Sequence, residues 1–303
     1  MRYRFVTTDV FTDRRFGGNP LAVLPDARGL DTAAMQAIAR EFNLSETTFV
    51  LPADDPSHTC RVRIFTPARE MAFAGHPTVG TAYVLVRTGI VPLPAAGTAL
   101  VLEEGVGPVP VTITTRDGAA VGACLTAARL PERGPTPPPV AELAAALSLE
   151  VADIVVDGRD APQGASCGAP YLIVPVTGRG ALARAAVEPA TWRRVIQGWW
   201  ADAVYVVCRD PETDQADLRA RMFAPDHGVV EDPATGSAAA ALAGYLAARD
   251  GRGDGTHRWI VEQGFEMGRP SVITIEVDTE GGAVRAVRVA GECVMVSEGS
   301  IEV

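Results

Sequence analysis

In the front part of the chain, apolar positions alternate with polar ones or run in short β-branched blocks between turn residues. Tyr3 to Thr8, Thr47 to Leu51, Arg61 to Phe65, Leu100 to Glu103, Val109 to Thr115 and Val121 to Leu125 therefore read as strands. A Gly17-Gly18-Asn19-Pro20 turn leads into the apolar run Leu21 to Leu24. In Asp31 to Phe42 the apolar residues Met35, Ile38, Ala39 and Phe42 recur at helical spacing behind a natural N-cap, Asp31, which predicts an amphipathic helix. Further on, strands are expected near Tyr171 to Val176, Ala203 to Cys208, Leu218 to Phe223, Val272 to Val277 and Val284 to Val289. A helix is expected near Glu188 to Trp200.

Two stretches have no polar side. Pro77 to Val86 and Pro233 to Ala248 each open on proline, which suits a first helical position, and are apolar or small on nearly every face. A helix of that kind, too short for a membrane, must be surrounded by protein. The expected fold is α+β, with two pseudo-symmetric lobes, each a curled, barrel-like sheet around a central buried helix. Pro131 to Pro139 (PERGPTPPP) divides them as a linker. The N-terminal lobe is expected over 1–130, with about 293–303 open to returning to it, and the C-terminal lobe over 140–292. A chain of 303 residues suits two lobes.

The sequences entering the two apolar helices match. Arg63-Ile64-Phe65-Thr66-Pro67 precedes His76-Pro77-Thr78-Val79-Gly80-Thr81-Ala82. Arg221-Met222-Phe223-Ala224-Pro225 precedes Asp232-Pro233-Ala234-Thr235-Gly236-Ser237-Ala238. The offset is 158 residues at the strand (221 less 63) and 156 at the helix (232 less 76). Duplication explains this better than two unrelated strand–loop–helix turns. Each helix start offers unpaired N–H groups and a positive dipole end, and Gly75, Gly80, Gly236 and Ser237 leave room for a ligand. Two such starts facing each other would form a cleft suited to a small carboxylate.

Composition narrows the chemistry. All 27 basic residues are arginine, against 37 acidic ones, for a net charge of −10. Without lysine there is no Schiff base, no Walker A motif and no kinase strand lysine. An acidic chain of this kind is a poor nucleic-acid binder. No apolar leader and no apolar run of membrane-spanning length occur, so a cytoplasmic protein without membrane association is expected. Five cysteines, the closest pair 41 positions apart, form no metal or redox motif and are expected to be reduced and buried.

Candidate groups follow from the repeat. His76 and Asp232 fall at matched positions, which this pattern reads as helix N-caps. Asp is a common cap, whereas histidine there points to proton transfer. Glu46, at the head of the strand Thr47 to Leu51, reads on its own as a surface end residue. Gly164-Ala165-Ser166-Cys167-Gly168 matches the nucleophile elbow of serine hydrolases. With the polar loop Asp157 to Gln163 before it and a strand after it, that reading is weak. His227 with Glu231 and Asp232 hints at a metal site but lies in a loop without a metal motif. His58 and His257 lie in polar, loop-like stretches.

Five stretches together resemble the phenazine-biosynthesis isomerase-like (PhzF-like) family of the diaminopimelate-epimerase-like superfamily. They are DVFTDRRFGGNPLAVLP (Asp9 to Pro25), NLSETTFV (Asn43 to Val50), RIFTPAREMAFAGHPTVGTA (Arg63 to Ala82), MFAPDHGVVEDPATGSAAA (Met222 to Ala240) and QGFEMGRPS (Gln263 to Ser271). The resemblance implies two barrel-like lobes with the active site between them, a homodimer, and cofactor-free isomerisation of a small cyclic or unsaturated carboxylic or amino acid. It implies that Glu46 moves the substrate proton, against the surface reading above, and that His76 and Asp232 assist. Gly75, Gly236 and Ser237, with Asn19 of the first matched stretch, would bind the substrate. Epimerase relatives use two cysteines at the helix starts. His76 and Asp232 stand there instead, which excludes that chemistry. The alternative is a small-carboxylate-binding protein of the same fold that has lost turnover.

Overall fold

The alternating stretches of the front part pair into a closed sheet. The structure is a computed structural model describing residues 1–157 and 159–303. It divides into one unit of residues 1–128, 269–272 and 288–303 and a second of residues 129–268 and 273–287. The front elements are β1 (Arg2–Val10), β2 (Asn19–Leu24), α1 (Thr32–Phe42), β3 (Glu46–Leu51), β4 (Cys60–Phe65), β5 (Glu70–Met71), α2 (Gly75–Arg87), β6 (Ala99–Glu104), β7 (Gly107–Arg116) and β8 (Ala119–Thr126). There follow β9 (Glu132–Arg133), α3 (Val140–Ala146), β10 (Gln163–Ser166), β11 (Pro170–Pro175), α4 (Arg179–Arg184), α5 (Pro189–Val195), β12 (Val204–Cys208), β13 (Leu218–Ala224), β14 (Val229–Asp232), α6 (Gly236–Asp250), β15 (Gly255–Gln263), β16 (Ser271–Glu280) and β17 (Ala283–Glu302).

In the first unit β1 pairs antiparallel with β2 and β17, and β2 runs parallel to β3. β3 pairs antiparallel with β4, and β4 runs parallel to β6. β6, β7 and β8 form an antiparallel meander, and β8 returns to β17 through residues 288–292. The circuit closes as an eight-stranded barrel, and closure removes the sheet edges. Inside it runs α2, buried at every residue from Gly75 to Val86 and in contact with β1, β2, β3, β6, β7 and β8. So wide an apolar surface can be buried only by a sheet wrapped round it. The fit is close: a Cβ at Gly80 would sit 2.6 Å from Leu21 Cδ2 and from Val10 Cγ2. α1, N-capped by Asp31 as expected, packs Met35, Ile38 and Ala39 on Phe49 and Phe65 outside.

The second unit repeats the connectivity. β10 pairs antiparallel with β11, β11 runs parallel to β12, β12 pairs antiparallel with β13, and β13 bonds both to its hairpin partner β14 and, in parallel, to β15. This is the order β1, β2, β3, β4, β5, β6 again, with α6 in the place of α2 and buried at Gly236 to Ala243, Tyr245 and Leu246. The shared R-x-F motif has a matching structural role. Arg63 grips Glu70 of β5 through Nε and Nη2, and its guanidinium lies 5.1 Å from the centre of the Phe65 ring. Arg221 grips Glu231 of β14 in the same bidentate way, 4.9 Å from the Phe223 ring centre. In each unit this clamp pins the hairpin that delivers the chain to the central helix.

Within the proline-rich stretch Glu132–Arg133 adds a two-residue edge strand to β10, and Pro131 lies so near α6 that a Cβ at Gly244 would be 2.3 Å from its Cβ. One expectation is corrected. The helix expected to reach Trp200 stops at Val195, with Gly198 beyond it in the left-handed region.

The barrel's closing seam is tight. Gly122 of β8 faces Glu292 of β17, and a Cβ there would lie 2.2 Å from the Gly291 carbonyl oxygen. Gly122→Ala should destabilise the protein by about 1–3 kcal/mol in urea unfolding, since backbone must move. An unchanged midpoint would mean that the seam yields freely.

Candidate active site

Because β2 and β3 are parallel, with Leu21 opposite Glu46, their first residues Asn19 and Glu46 share one end of the barrel. Alternation puts Glu46 on the same face of β3 as Thr48. Thr48 Oγ1 lies 2.8 Å from Thr81 Oγ1 of α2, so this face looks inward. Glu46 looks inward too, and its Oε2 lies 3.4 Å from His76 Nε2. A strand start is a surface end only when its row faces solvent, and this row faces the helix.

His76 is 3% exposed, and its Nδ1 lies 3.1 Å from Asn19 Nδ2. An amide nitrogen only donates, so Nδ1 accepts and the neutral ring carries its proton on Nε2, towards Glu46. Burial pushes the imidazole pKa down to about 3, so the ring is neutral at pH 7. Asn19, fully buried, therefore orients His76. The turn before Asn19 is held by Arg269, which donates to the carbonyls of Gly17 and Gly18 and pairs with buried Asp9. Gly18 is required there: its φ is +59°, and a Cβ would meet the Val10 carbonyl oxygen at 2.2 Å.

In the second unit, Asp232 closes β14 and accepts from Thr235 Oγ1 at 2.6 Å. Gln263 Nε2 donates to Thr235 Oγ1 and to the Asp232 carbonyl, while its Oε1 accepts from Tyr205 Oη and the Thr235 N–H. Each proton in this chain has one acceptor, and the last is the Asp232 carboxylate. Ser237 Oγ, in the first turn of α6, lies 2.7 Å from Tyr171 Oη. Thr235, Gln263, Tyr205 and Tyr171 were not legible as site residues, although Thr235 and Gln263 lie within the matched stretches.

The matched positions are not matched caps. α2 begins at Gly75 behind Ala74, so His76 is its second residue. α6 begins at Gly236 behind Thr235, and Asp232 stands before it, at the end of a strand. Gln263 explains the difference: it satisfies the backbone of Asp232 and Thr235 as loop, in place of a helical turn. Neither α2 nor α6 has a side-chain cap, whereas Asp31 and Glu188 cap α1 and α5. The first N–H groups of both central helices thus keep their anion-binding capacity, with Gly75 and Gly236 as first residues.

Other candidates take structural places. Of the polar loop expected before Ser166, Gly158 lies outside the described residues, and Gln163 opens the strand β10. Ser166 is thus preceded by a strand, but β11 follows it and no helix does, so the elbow is not formed. His227 bonds Asp202, and Glu231 is engaged by Arg221. Among the described residues no three His, Cys, Asp or Glu side chains gather as a metal cage. Among them, too, no helix is long and apolar enough to cross a membrane.

Known proteins resemble this chain over nearly its whole length. The sequence profile of the family described as "Phenazine biosynthesis-like protein" matches residues 8–299. An uncharacterised isomerase of Mesorhizobium japonicum is 44% identical over 300 residues, covering 98% of each chain. The trans-2,3-dihydro-3-hydroxyanthranilate isomerase of Pseudomonas aeruginosa is 36% identical over 309 residues, again covering 98% of each. A crystal structure of a Bacillus anthracis phenazine biosynthesis protein of the PhzF family superposes with a TM-score of 0.89 at 27% identity, covering 100% of both chains.

The His76 ring should stay neutral through the physiological range. Its NMR signals, assigned with His76→Gln, should show the Nε2–H tautomer and should not titrate between about pH 8 and 5. A midpoint near the ordinary histidine value would contradict the assigned burial and tautomer.

Proposed function

Because the chain belongs to the phenazine biosynthesis-like family of isomerases, we propose that it isomerises a small cyclic or unsaturated carboxylic or amino acid by cofactor-free proton transfer. The observation that carries this is the approach of Glu46 Oε2 to a buried, neutral His76 at 3.4 Å. The Glu46 carboxylate takes a proton from an activated carbon. The electron pair left behind shifts along the conjugated system, and the proton returns at another carbon from Glu46 or through His76. A neutral Nε2–H, 3.4 Å from Glu46 Oε2, faces the carboxylate without neutralising it. Asn19 acts through His76, by holding its tautomer.

The substrate carboxylate sits on the uncapped start of α6, at Gly236 and Ser237, or on that of α2 at Gly75. Asp232, supplied with a hydroxyl donor by Thr235, takes part in proton movement or holds an amino group. The active form is a homodimer, as the family resemblance implies. Sedimentation should therefore read twice the chain mass of 31.8 kDa.

The similarity to the Pseudomonas aeruginosa enzyme supplies the first substrate to try. In deuterated water the protein should wash solvent deuterium into trans-2,3-dihydro-3-hydroxyanthranilate or a related cyclic amino acid. Glu46→Gln should lower that exchange by about 10²–10⁴-fold while leaving the ligand dissociation constant within about threefold. An unchanged rate in Glu46→Gln removes Glu46 as the base. Tight carboxylate binding with no exchange by the unaltered protein would make this a binding protein.

A further inference from the structure

A second buried carboxyl lies in the first barrel, with no part in the proton transfer described above. Glu104, the last residue of β6, is 8% exposed. Its Oε1 lies 2.6 Å from Thr78 Oγ1, and Thr78 Oγ1 lies 2.7 Å from the carbonyl oxygen of Ala74. A hydroxyl has one proton to give, and a carbonyl has none. Both contacts are hydrogen bonds only if Glu104 brings the second proton. Its Oε2 is buried and, among the described residues, meets no hydrogen-bond donor. An ionised carboxylate would leave that oxygen charged and unsatisfied.

The surroundings offer no counter-charge. From β4, Arg61 is taken by Asp54, and Arg63 by Glu70 of β5. Cys60, also on β4, has its thiol pushed up to about 12, by burial first and then by the charges of Glu104 and Glu103. Glu103, on the same strand, is negative and accepts from His58 and the N–H groups of Asp54 and Asp55. β7 presents Gly107 opposite Glu104 and carries its one charged residue, Arg116, at the far end. The first turn of α2 brings His76, which is neutral. Burial pushes Glu104 up to about 8, in keeping with the geometry.

We propose that Glu104 is a positioning residue: as a carboxylic acid it donates to Thr78 Oγ1, the hydroxyl then donates to the Ala74 carbonyl, and this relay fixes the first turn of α2. That turn carries Gly75 and His76, and Ala74 is the N-cap. The catalytic consequence rests on the functional reading above; the protonation of Glu104 does not. When Glu104 ionises, it claims the Thr78 proton, the Ala74 carbonyl keeps only the longer 3.3 Å bond from the Thr78 N–H, and the first turn loosens.

The test has two arms. With glutamate labelled at its side-chain carboxyl carbon, one carbon-13 resonance of the unaltered protein should titrate with a midpoint near 8 and vanish in Glu104→Gln. If Glu104→Gln does not fold, the raised midpoint alone decides. No glutamate titrating above about pH 6 overturns the proposal, whatever the enzyme's activity. In the kinetic arm, kcat/KM should fall on the alkaline side of that midpoint. Glu104→Gln, whose amide still donates but does not titrate, should keep the rate at pH 7 within about threefold and lose the alkaline fall. Thr78→Val should lose rate at every pH. An alkaline fall that persists unchanged in Glu104→Gln overturns the positioning role. Titration of Glu104 near 8 in a protein inactive on every carboxylate would instead count against the functional reading alone.

Discussion

A helix buried on every side can expose its first N–H groups only at the mouth of the sheet that encloses it, and that constraint organises this protein. α2 is encased from Gly75 to Val86, and α6 over most of its length. Burial on this scale stabilises the helices but leaves the start of each needing an electronegative partner. α1 and α5 meet that need with Asp31 and Glu188. The two central helices do not, and the candidate site residues cluster at their starts. Net charge is irrelevant at that distance: an acidic chain can hold an anion where the backbone supplies the field.

The duplication gave two copies of this device, and the copies diverged where chemistry is done. The clamps of Arg63 and Arg221 are alike down to the bidentate glutamate and the aromatic ring beneath. Beyond the clamp the paths separate. One runs straight into helix and presents His76 inside the first turn. The other stays extended to Asp232, held open by Gln263, and starts its helix later. One copy thus presents a neutral imidazole and the other a hydrogen-bonded carboxylate, from sequences that align almost without gaps.

Much of this was legible in the chain. The apolar helices and the R-x-F repeat are periodic, local features, and they predicted enclosed helices in duplicated lobes. Glu46 was not legible from its neighbours, because whether a strand's first residue faces in or out depends on a parallel partner, β2, and on the Thr48–Thr81 contact. The N-cap reading of His76 and Asp232 failed because Gln263, about 30 residues on, bonds the backbone of Asp232 and Thr235 directly, whereas Glu104, at the matching place on β6, reaches the Ala74 carbonyl only through Thr78. β17 was only partly visible, since Gly291 and Gly299 interrupt its pattern where Phe11 and Phe5 press on the backbone. The Glu104 relay depends on counting protons across distances, which no pattern of residues reveals.

The central claim is that Glu46, beside the buried neutral His76 at the start of α2, moves the proton of a small carboxylate. A crystal structure with an unreactive aromatic amino-carboxylate bound would test it most directly. The account predicts a ring carbon of the ligand about 3–3.5 Å from a Glu46 oxygen. A ligand seated elsewhere, or one whose ring lies beyond the reach of Glu46, would contradict it.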